Sequence, residues 1–268
     1  MLQQILQSLV AGALQGLTEF LPISSSGHLL ILHELLNFNF VDDLAFDVVL
    51  HLGTLLALAL FFWRDVATYA AALLQPPSHQ DENQRLAWYL VLATLPAVAV
   101  GYFFESIIET ALRSTTIVAL MLIGVGALLY AVDRYAPKIK AMNHLTLGGA
   151  LFIGCAQALA LIPGVSRSGI TIIAGLSQKL NRAAAARFSF LLSMPIVLGA
   201  GLKKTIELFS SQTLELAQLQ ALGVGFLSSA IIGYLVIRYF LRFVERHSLA
   251  VFAYYRILLG ILLLLIAP

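Results

Sequence analysis

Long apolar stretches alternate with short polar segments along this chain, at distances that suit membrane-crossing helices. A helix needs about 20 consecutive apolar residues to cross a bilayer, and three stretches of roughly that length follow one another in each half of the sequence. The pattern therefore predicts six transmembrane helices, with bounds near 45–63, 86–104, 116–132, 187–202, 219–237 and 250–267.

Each half starts with a further apolar segment that does not continue as one helix. A proline and a cluster of serine and glycine interrupt the segments at about 1–36 and 146–180. The pieces are short for a span, and the first return piece contains His33 and Glu34. A helix, a broken polar loop and a short return helix form a re-entrant hairpin, which lipid accepts where irregular backbone is buried in protein or lines a wet cavity. We predict two re-entrant hairpins, with a kinked spanning helix as the alternative.

The two interrupted segments are related in sequence at an offset of 142 residues, from 12 to 154. Residues 12–28 read GALQGLTEFLPISSSGH and residues 154–170 read GCAQALALIPGVSRSGI. One hairpin and three spans then form one repeat, at 1–142 and 143–268. Three crossings are an odd number, so the second repeat must lie inverted relative to the first. The expected fold is an all-α polytopic membrane protein with an inverted-topology repeat in a single integral membrane domain.

Composition places the chain in a membrane and argues against a nucleic-acid partner. Hydrophobic residues make up 60% of the chain and charged residues 11%, whereas a soluble domain carries about 25% charged residues. The net charge of +2 is small and dispersed, so no nucleic-acid partner is expected. The start of the chain has neither a basic region nor a cleavage site of small residues, so we expect no removable signal peptide.

The charged loops predict the orientation of the chain. Loops on one predicted face carry eleven lysines and arginines, and the other face carries Arg113, Lys203 and Lys204. Basic residues concentrate in cytoplasmic loops, so the first face is predicted to be cytoplasmic and both termini to lie outside. The broken loops would then open toward the outer face.

Gln15 and Glu19 lie four residues apart ahead of the first break, so on a helix they share a face. An acidic side chain at this depth is expensive and by default functional. A structural glutamate, satisfied by a serine hydroxyl or a backbone amide, is the alternative. Gln157 repeats Gln15 in the second half, but Leu161 replaces the acid there.

A cluster of serine and glycine starts the helix after each break, at 24–27 and 166–169. Free N–H groups at a helix start, with the positive end of the helix dipole, bind anions. A serine in this place can also be a simple N-cap. Two clusters in inverted repeats can aim both helix starts at one point, which favours anion binding.

Four further residues, in or after these clusters, carry candidate chemistry. Arg167 has no acidic residue within ten positions, so its partner must be Glu19 or a bound anion, and its planar donors suit phosphate oxygens. His28 lies one turn into its helix and can be a general acid or base, a nucleophile, or a structural residue. Asp47 and His51 could line the mouth of the site, or serve as a cap and a filler.

At these residues the chain resembles the BacA-type undecaprenyl-pyrophosphate phosphatases. QGLTE resembles the family's E/Q-xxx-E motif, SSSGH its serine-rich stretch and PGVSRSGIT its PGxSRSxxT motif, and the similarity extends over the full length. The family consists of bacterial polytopic membrane enzymes that remove the terminal phosphate of a C55 isoprenoid diphosphate. This reaction regenerates the lipid carrier of peptidoglycan synthesis, and overproduction of the enzyme confers bacitracin resistance.

The resemblance implies a set of site residues and a cofactor. The catalytic positions would be Glu19, Ser25, His28 and Arg167. The phosphate contacts would be Ser24, Ser26, Gly27, Ser166, Ser168, Gly169 and Thr171, and we expect Gln15, Gln157 and Asp47 to support the site. A divalent cation, Mg²⁺ or Ca²⁺, is also implied; because Gln15 replaces the first acid of the motif, the cation would rest on Glu19, the diphosphate oxygens and retained waters.

The expected function is hydrolysis of undecaprenyl diphosphate to undecaprenyl phosphate and inorganic phosphate at the outer face of the bacterial cytoplasmic membrane. Ser25 is the expected nucleophile, with His28 activating it or protonating the leaving group; His28 as nucleophile and direct attack by water stay open. A transporter or flippase of the lipid carrier is the alternative, because secondary transporters also join broken helices in inverted repeats. The difference between the repeats favours catalysis. The oligomeric state is left open between a monomer and a homodimer.

Overall fold

Helices form the regular structure of the described residues, apart from one isolated bridge between Lys140 and Leu180. The computed structural model describes residues 1–36, 43–76, 81–110, 112, 114–211 and 215–266. The helices are α1 (Leu2–Thr18), α2 (Ser25–Leu36), α3 (Asp43–Phe61), α4 (Trp63–Leu73), α5 (Glu82–Thr110), α6 (Thr115–Tyr135), α7 (Leu147–Leu159), α8 (Arg167–Ser177), α9 (Arg182–Ser211), α10 (Leu216–Arg246) and α11 (Ala250–Ile266).

Several of these helices are long and apolar enough to cross a membrane. Within the described ranges, four segments qualify by themselves: Glu82–Phe104, Thr115–Tyr135, Arg182–Leu208 and Leu216–Arg246. Ala45–Phe61 and Trp63–Leu73, which are bent by 81° at their junction, qualify together as a fifth. α11 is apolar but 17 residues long. The prediction of an all-α polytopic membrane protein is confirmed.

The segment 64–85, which separates the first two predicted spans, contains most of α4. Gln84 at the start of α5 explains how this short helix ends, because its Nε2 donates to the carbonyl oxygens of Ala72 at 2.9 Å and Gln75 at 3.0 Å. Tyr69 and Ala72 are buried on one face of the helix. These tertiary contacts stabilise α4. The pattern of membrane-length apolar stretches does not predict it, because its apolar residues lie on one face of a short amphipathic helix.

The predicted span at 187–202 is the apolar part of the longer helix α9. Beyond the span, Glu207 lies 3.9 Å from Lys203 and 3.3 Å from Lys204, at the spacing that stabilises exposed helices. The apolar stretch therefore predicts which part of α9 suits the membrane interior. It does not predict where the helix ends, because α9 continues beyond the stretch. Arg113 and the predicted end of the last span at 267 lie outside the described residues.

Small residues bring the helices of the two halves into close contact. Gly12 and Gly16 of α1 face the backbone of Gly225 and Ser229 in α10, and Gly154 of α7 faces the backbone of Ala93 in α5. Helix α1 thus packs against α10 of the other half, and α7 packs against α5 of the other half. Membrane helices pack through such small residues because lipid offers no hydrophobic driving force between helices.

Replacing Gly154 with valine is expected to destabilise the protein, since a Cβ at this position would overlap backbone atoms of Ala93. Overpacking of this kind costs about 1–3 kcal/mol, and thermal unfolding in detergent would show it as a lower Tm. Gly148→Val is the matched control, because a Cβ at Gly148 of the same helix meets open space. An equal fall in Tm for both variants would contradict the packing argument.

Candidate active site

The two broken loops lie between helices and contact each other directly. The first loop connects α1 to α2 and the second connects α7 to α8. Ser168 at the start of α8 donates through Oγ to the carbonyl oxygen of Leu21 in the first loop, at 3.0 Å. The loops therefore bring sequence positions 147 residues apart into one site.

Equivalent serines of the two loops have the same unusual backbone conformation. Ser24 has a φ of 74° and Ser166 a φ of 72°, which is costly for a residue with a side chain. Their hydroxyls accept from the backbone N–H groups of Gly27 at 3.4 Å and Gly169 at 3.1 Å. These two serines thus act as helix caps, which was the alternative to direct phosphate contact.

Glu19 is the centre of the site. It ends α1 and is buried, and its Oε1 accepts from Nη2 of Arg167 at 2.5 Å. Its Oε2 accepts from Oγ of Ser25 at 2.6 Å and from Nε2 of Gln15 at 3.1 Å. The carboxylate therefore joins α1, α2 and α8.

Arg167 is held on two sides at the first turn of α8. Besides its ion pair with Glu19, its Nη1 donates to the carbonyl oxygen of Ser189 in α9 at 3.4 Å. Of the two partners that the sequence offered, an acid from the other repeat or an anion, the structure shows the acid. The guanidinium thus shares the Glu19 carboxylate with Ser25, and part of its donor fork is left for a ligand.

The other predicted phosphate contacts divide into exposed and buried groups. Ser26 is exposed, and its Oγ lies 3.2 Å from that of Ser24. Thr171 is fully buried, with its hydroxyl 2.6 Å from that of Ser189 and 2.7 Å from the carbonyl oxygen of Arg167. The structure therefore gives Thr171 a supporting place behind Arg167.

The glycines of the clusters allow close packing. A Cβ at Gly27 would lie 3.2 Å from Cγ1 of Val118, and one at Gly169 would lie 2.9 Å from Nη1 of Arg256. A side chain at Gly27 would crowd the side chain of Val118, and one at Gly169 would displace the guanidinium of Arg256.

The ring hydrogen bonds of His28 go to neither Ser25 nor Glu19. Its Nδ1 lies 2.7 Å from the carbonyl oxygen of Ser24, and its Nε2 lies 2.7 Å from Oη of Tyr255 in α11. In this structure the Ser25 hydroxyl donates to Glu19. The expected role of His28, which was to activate Ser25 or to protonate the leaving group, stays a prediction.

His51 is the imidazole that approaches Glu19. Its Nε2 lies 3.5 Å from Oε2 of Glu19, and its Nδ1 lies 2.7 Å from the carbonyl oxygen of Asp47. The side chain of Asp47 points elsewhere and accepts from Nε2 of His33 at 2.8 Å. Of the two residues that the sequence placed at the mouth of the site, His51 reaches Glu19 with its side chain and Asp47 does not.

The two related glutamines differ in their surroundings. Gln15 uses its amide N–H on Glu19, whereas both side-chain polar atoms of Gln157 are buried without a hydrogen-bond partner. Leu161 replaces the acid that would be its repeat-related partner. Within the described residues, no hydrogen bond therefore connects the side chain of Gln157 to the other site residues.

Arg256 in α11 connects the two broken loops to the rest of the structure. It is fully buried and donates to five backbone carbonyl oxygens. One belongs to Pro22 in the first loop, two to Gly164 and Val165 in the second, and two to α6. Arg256 therefore fixes both loops on α6 and adds a positive charge beneath them.

The side chains do not form a cation site by themselves. No group of three or more His, Cys, Asp or Glu comes together among the residues of known placement. Both oxygens of Glu19 are engaged, and Arg167 already neutralises its charge. This donor set does not fit a cation held by the protein alone, and the cation on Glu19 stays a prediction.

Comparisons with known proteins agree with these motifs. The family model described as bacitracin resistance protein BacA matches residues 8–262. An undecaprenyl-diphosphatase of Desulforudis audaxviator is 45% identical over 97% of each chain. One of Pelotomaculum thermopropionicum is 42% identical over 98% of this chain and 97% of its own, and one of Alcanivorax borkumensis is 45% identical over 96% and 97%. With a family match over nearly its whole length and such relatives, the chain belongs to the BacA family.

Proposed function

We propose that this protein is an undecaprenyl-diphosphatase, which hydrolyses undecaprenyl diphosphate to undecaprenyl phosphate and inorganic phosphate. The observation that carries the proposal is the junction of Glu19 and Ser25 from one loop with Arg167 from the other. It lies in a chain whose relatives, 42–45% identical over nearly their full length, bear that enzyme's name. These names do not favour the alternative of a lipid transporter or flippase.

Ser25 is proposed to attack the terminal phosphorus. As the new P–O bond forms, the Ser25 proton passes to Oε2 of Glu19 at 2.6 Å, and the bridging P–O bond breaks to release the lipid monophosphate. Water then hydrolyses the phosphoserine. His28 is left to donate the proton that the leaving group needs. Nucleophilic attack by His28 or by water stays as the alternative.

Fixed positive charge is proposed to supply most of the rate gain. The fork of Arg167 can hold two phosphate oxygens, and the starts of α2 and α8 add their dipoles. Charge that is already in place stabilises a transition state without reorganisation. A divalent cation would accompany the diphosphate on its own oxygens, with retained waters.

The two halves are proposed to be inverted repeats with the basic loops in the cytoplasm. The equivalent strained serines and the equivalent pairs α1–α10 and α7–α5 support the repeat. Contacts between the loops support their placement on one face. Arg182 donates to both carboxylate oxygens of Asp133, Arg187 donates to Asp65, and Arg85 donates to the carbonyl oxygen of Asn143. The site would then open to the outer face of the bacterial cytoplasmic membrane.

Phosphate release from undecaprenyl diphosphate by the purified protein tests the function. Arg167→Ala is expected to lower kcat/KM about 100-fold or more, as the loss of a transition-state donor does elsewhere. Arg238→Ala, on the exposed face of α10, is the control that should behave like wild type. No release by the wild type with Mg²⁺ or Ca²⁺ would refute the function, and full activity of Arg167→Ala would refute the site.

A further inference from the structure

Tyr255 is the residue outside the sequence motifs that meets the candidate catalytic histidine. Its Oη lies 2.7 Å from Nε2 of His28, and the two rings are parallel within 5° with their centroids 5.6 Å apart. At this distance the hydroxyl and the ring nitrogen are within hydrogen-bonding range. His28 itself is buried.

The contacts of His28 determine which nitrogen carries the proton. A backbone carbonyl oxygen only accepts, so Nδ1, at 2.7 Å from the carbonyl oxygen of Ser24, must carry hydrogen. In the neutral ring Nε2 then bears the free electron pair and accepts from the Tyr255 hydroxyl. After protonation at Nε2 the bond reverses, since a hydroxyl can also accept. The Tyr255 hydroxyl can thus donate to the neutral ring and accept from the protonated ring, and acid–base chemistry requires both states.

Arg256 holds Tyr255 in place from the neighbouring position. Its bonds to Pro22, Gly164 and Val165 tie α11 to both broken loops. The side chain of Tyr255 is 43% exposed, so packing around it does not restrain the ring on every side. The direction of the Tyr255 ring therefore depends on the backbone of α11, which Arg256 anchors, and on the hydrogen bond to His28.

We propose that Tyr255 is a positioning residue that holds His28 with Nε2 as its working nitrogen. This inference rests on the proposed function, because it assigns His28 the proton of the leaving group. The oriented imidazole would donate its Nε2 proton to the leaving oxygen as the bridging P–O bond breaks. The hydrogen bond between Nε2 and Tyr255 would break at that point. Arg256 is the charged group that faces this pair from the same helix.

Tyr255→Phe tests the proposal because it keeps the ring and removes the hydroxyl. We expect kcat for undecaprenyl diphosphate to fall about 10-fold or more with KM unchanged, since correct placement of an acid–base group contributes at least that factor. In protein labelled with ¹⁵N-histidine, the Nε2 resonance of His28 should move while its Nδ1 resonance stays. His28→Gln assigns these resonances.

Tyr254→Phe is the matched control. Tyr254 precedes Tyr255 on the same helix, is exposed and faces Tyr130, with ring centroids 5.5 Å apart. It should keep the wild-type kcat and the wild-type His28 resonances. A Tyr255→Phe enzyme with wild-type kcat, or with an unmoved Nε2 resonance, would overturn the proposal. Failure of the proposed function is a separate result, because the wild type itself would then release no phosphate.

Discussion

Replacing Ser25 with alanine is expected to lower phosphate release at least about 1,000-fold, as the loss of a nucleophile does in other hydrolases. The structure supports this result because the Ser25 hydroxyl donates to Glu19 at 2.6 Å, and Glu19 pairs with Arg167 on its other oxygen. Alanine removes the attacking oxygen and leaves the ion pair intact. Single-turnover release of inorganic phosphate measures the effect on chemistry.

The same variant separates the possible nucleophiles. If His28 or water attacks directly, Ser25→Ala should keep activity within about 150-fold of wild type, since it would then lose one hydrogen bond to a charged group, worth about 1.5–3 kcal/mol. Ser177→Ala, at the exposed end of α8, controls for the loss of a helix serine hydroxyl. A trapped phosphoserine in the wild type would be direct support for attack by Ser25.

Replacing Arg256 with methionine is expected to cause the largest loss of stability. Its guanidinium donates to five carbonyl oxygens from three segments, and each buried acceptor left without a partner costs about 1–3 kcal/mol. Methionine fills part of the volume but donates nothing. Removal of a buried charge offsets some of this cost, so the net loss should be smaller than the sum and still lower Tm clearly.

Two comparisons make the Arg256 result specific. Arg242→Met, on the exposed face of α10, should leave Tm near that of wild type. Arg256→Lys keeps the charge but loses the planar fork, so it should restore part of the stability and little of the activity. A wild-type Tm for Arg256→Met would show that the loops do not need this anchor.

The residues that form the ion pair of the site could be predicted from the sequence. Arg167 has no acid nearby in the chain, and Glu19 is an acid in an apolar segment, so each needed a partner from elsewhere. The relation between the two segments indicated that they meet. The structure shows that pairing, with Ser25 on the remaining oxygen of Glu19.

The partners of the histidines could not be predicted in the same way. His28 is three residues from Ser25 in the chain, yet its ring binds Tyr255, 227 residues away. His51 approaches Glu19 although 32 residues separate them in sequence (51 minus 19). Sequence spacing shows which residues share one face of a helix. Which side chains contact that face depends on the rotation and crossing angles of the neighbouring helices.

The sequence by itself determined that the chain is an all-helical membrane protein, where its helices break and which chemical groups lie at the breaks. These properties follow from local composition, because apolar length decides what enters a bilayer and proline, serine and glycine decide where a helix stops. Only the tertiary structure decided three contacts. Glu19 accepts a hydrogen bond from Ser25, Tyr255 is hydrogen-bonded to His28, and Arg256 donates to carbonyl oxygens of both loops. These contacts join distant segments, so they exist only once the helices have packed.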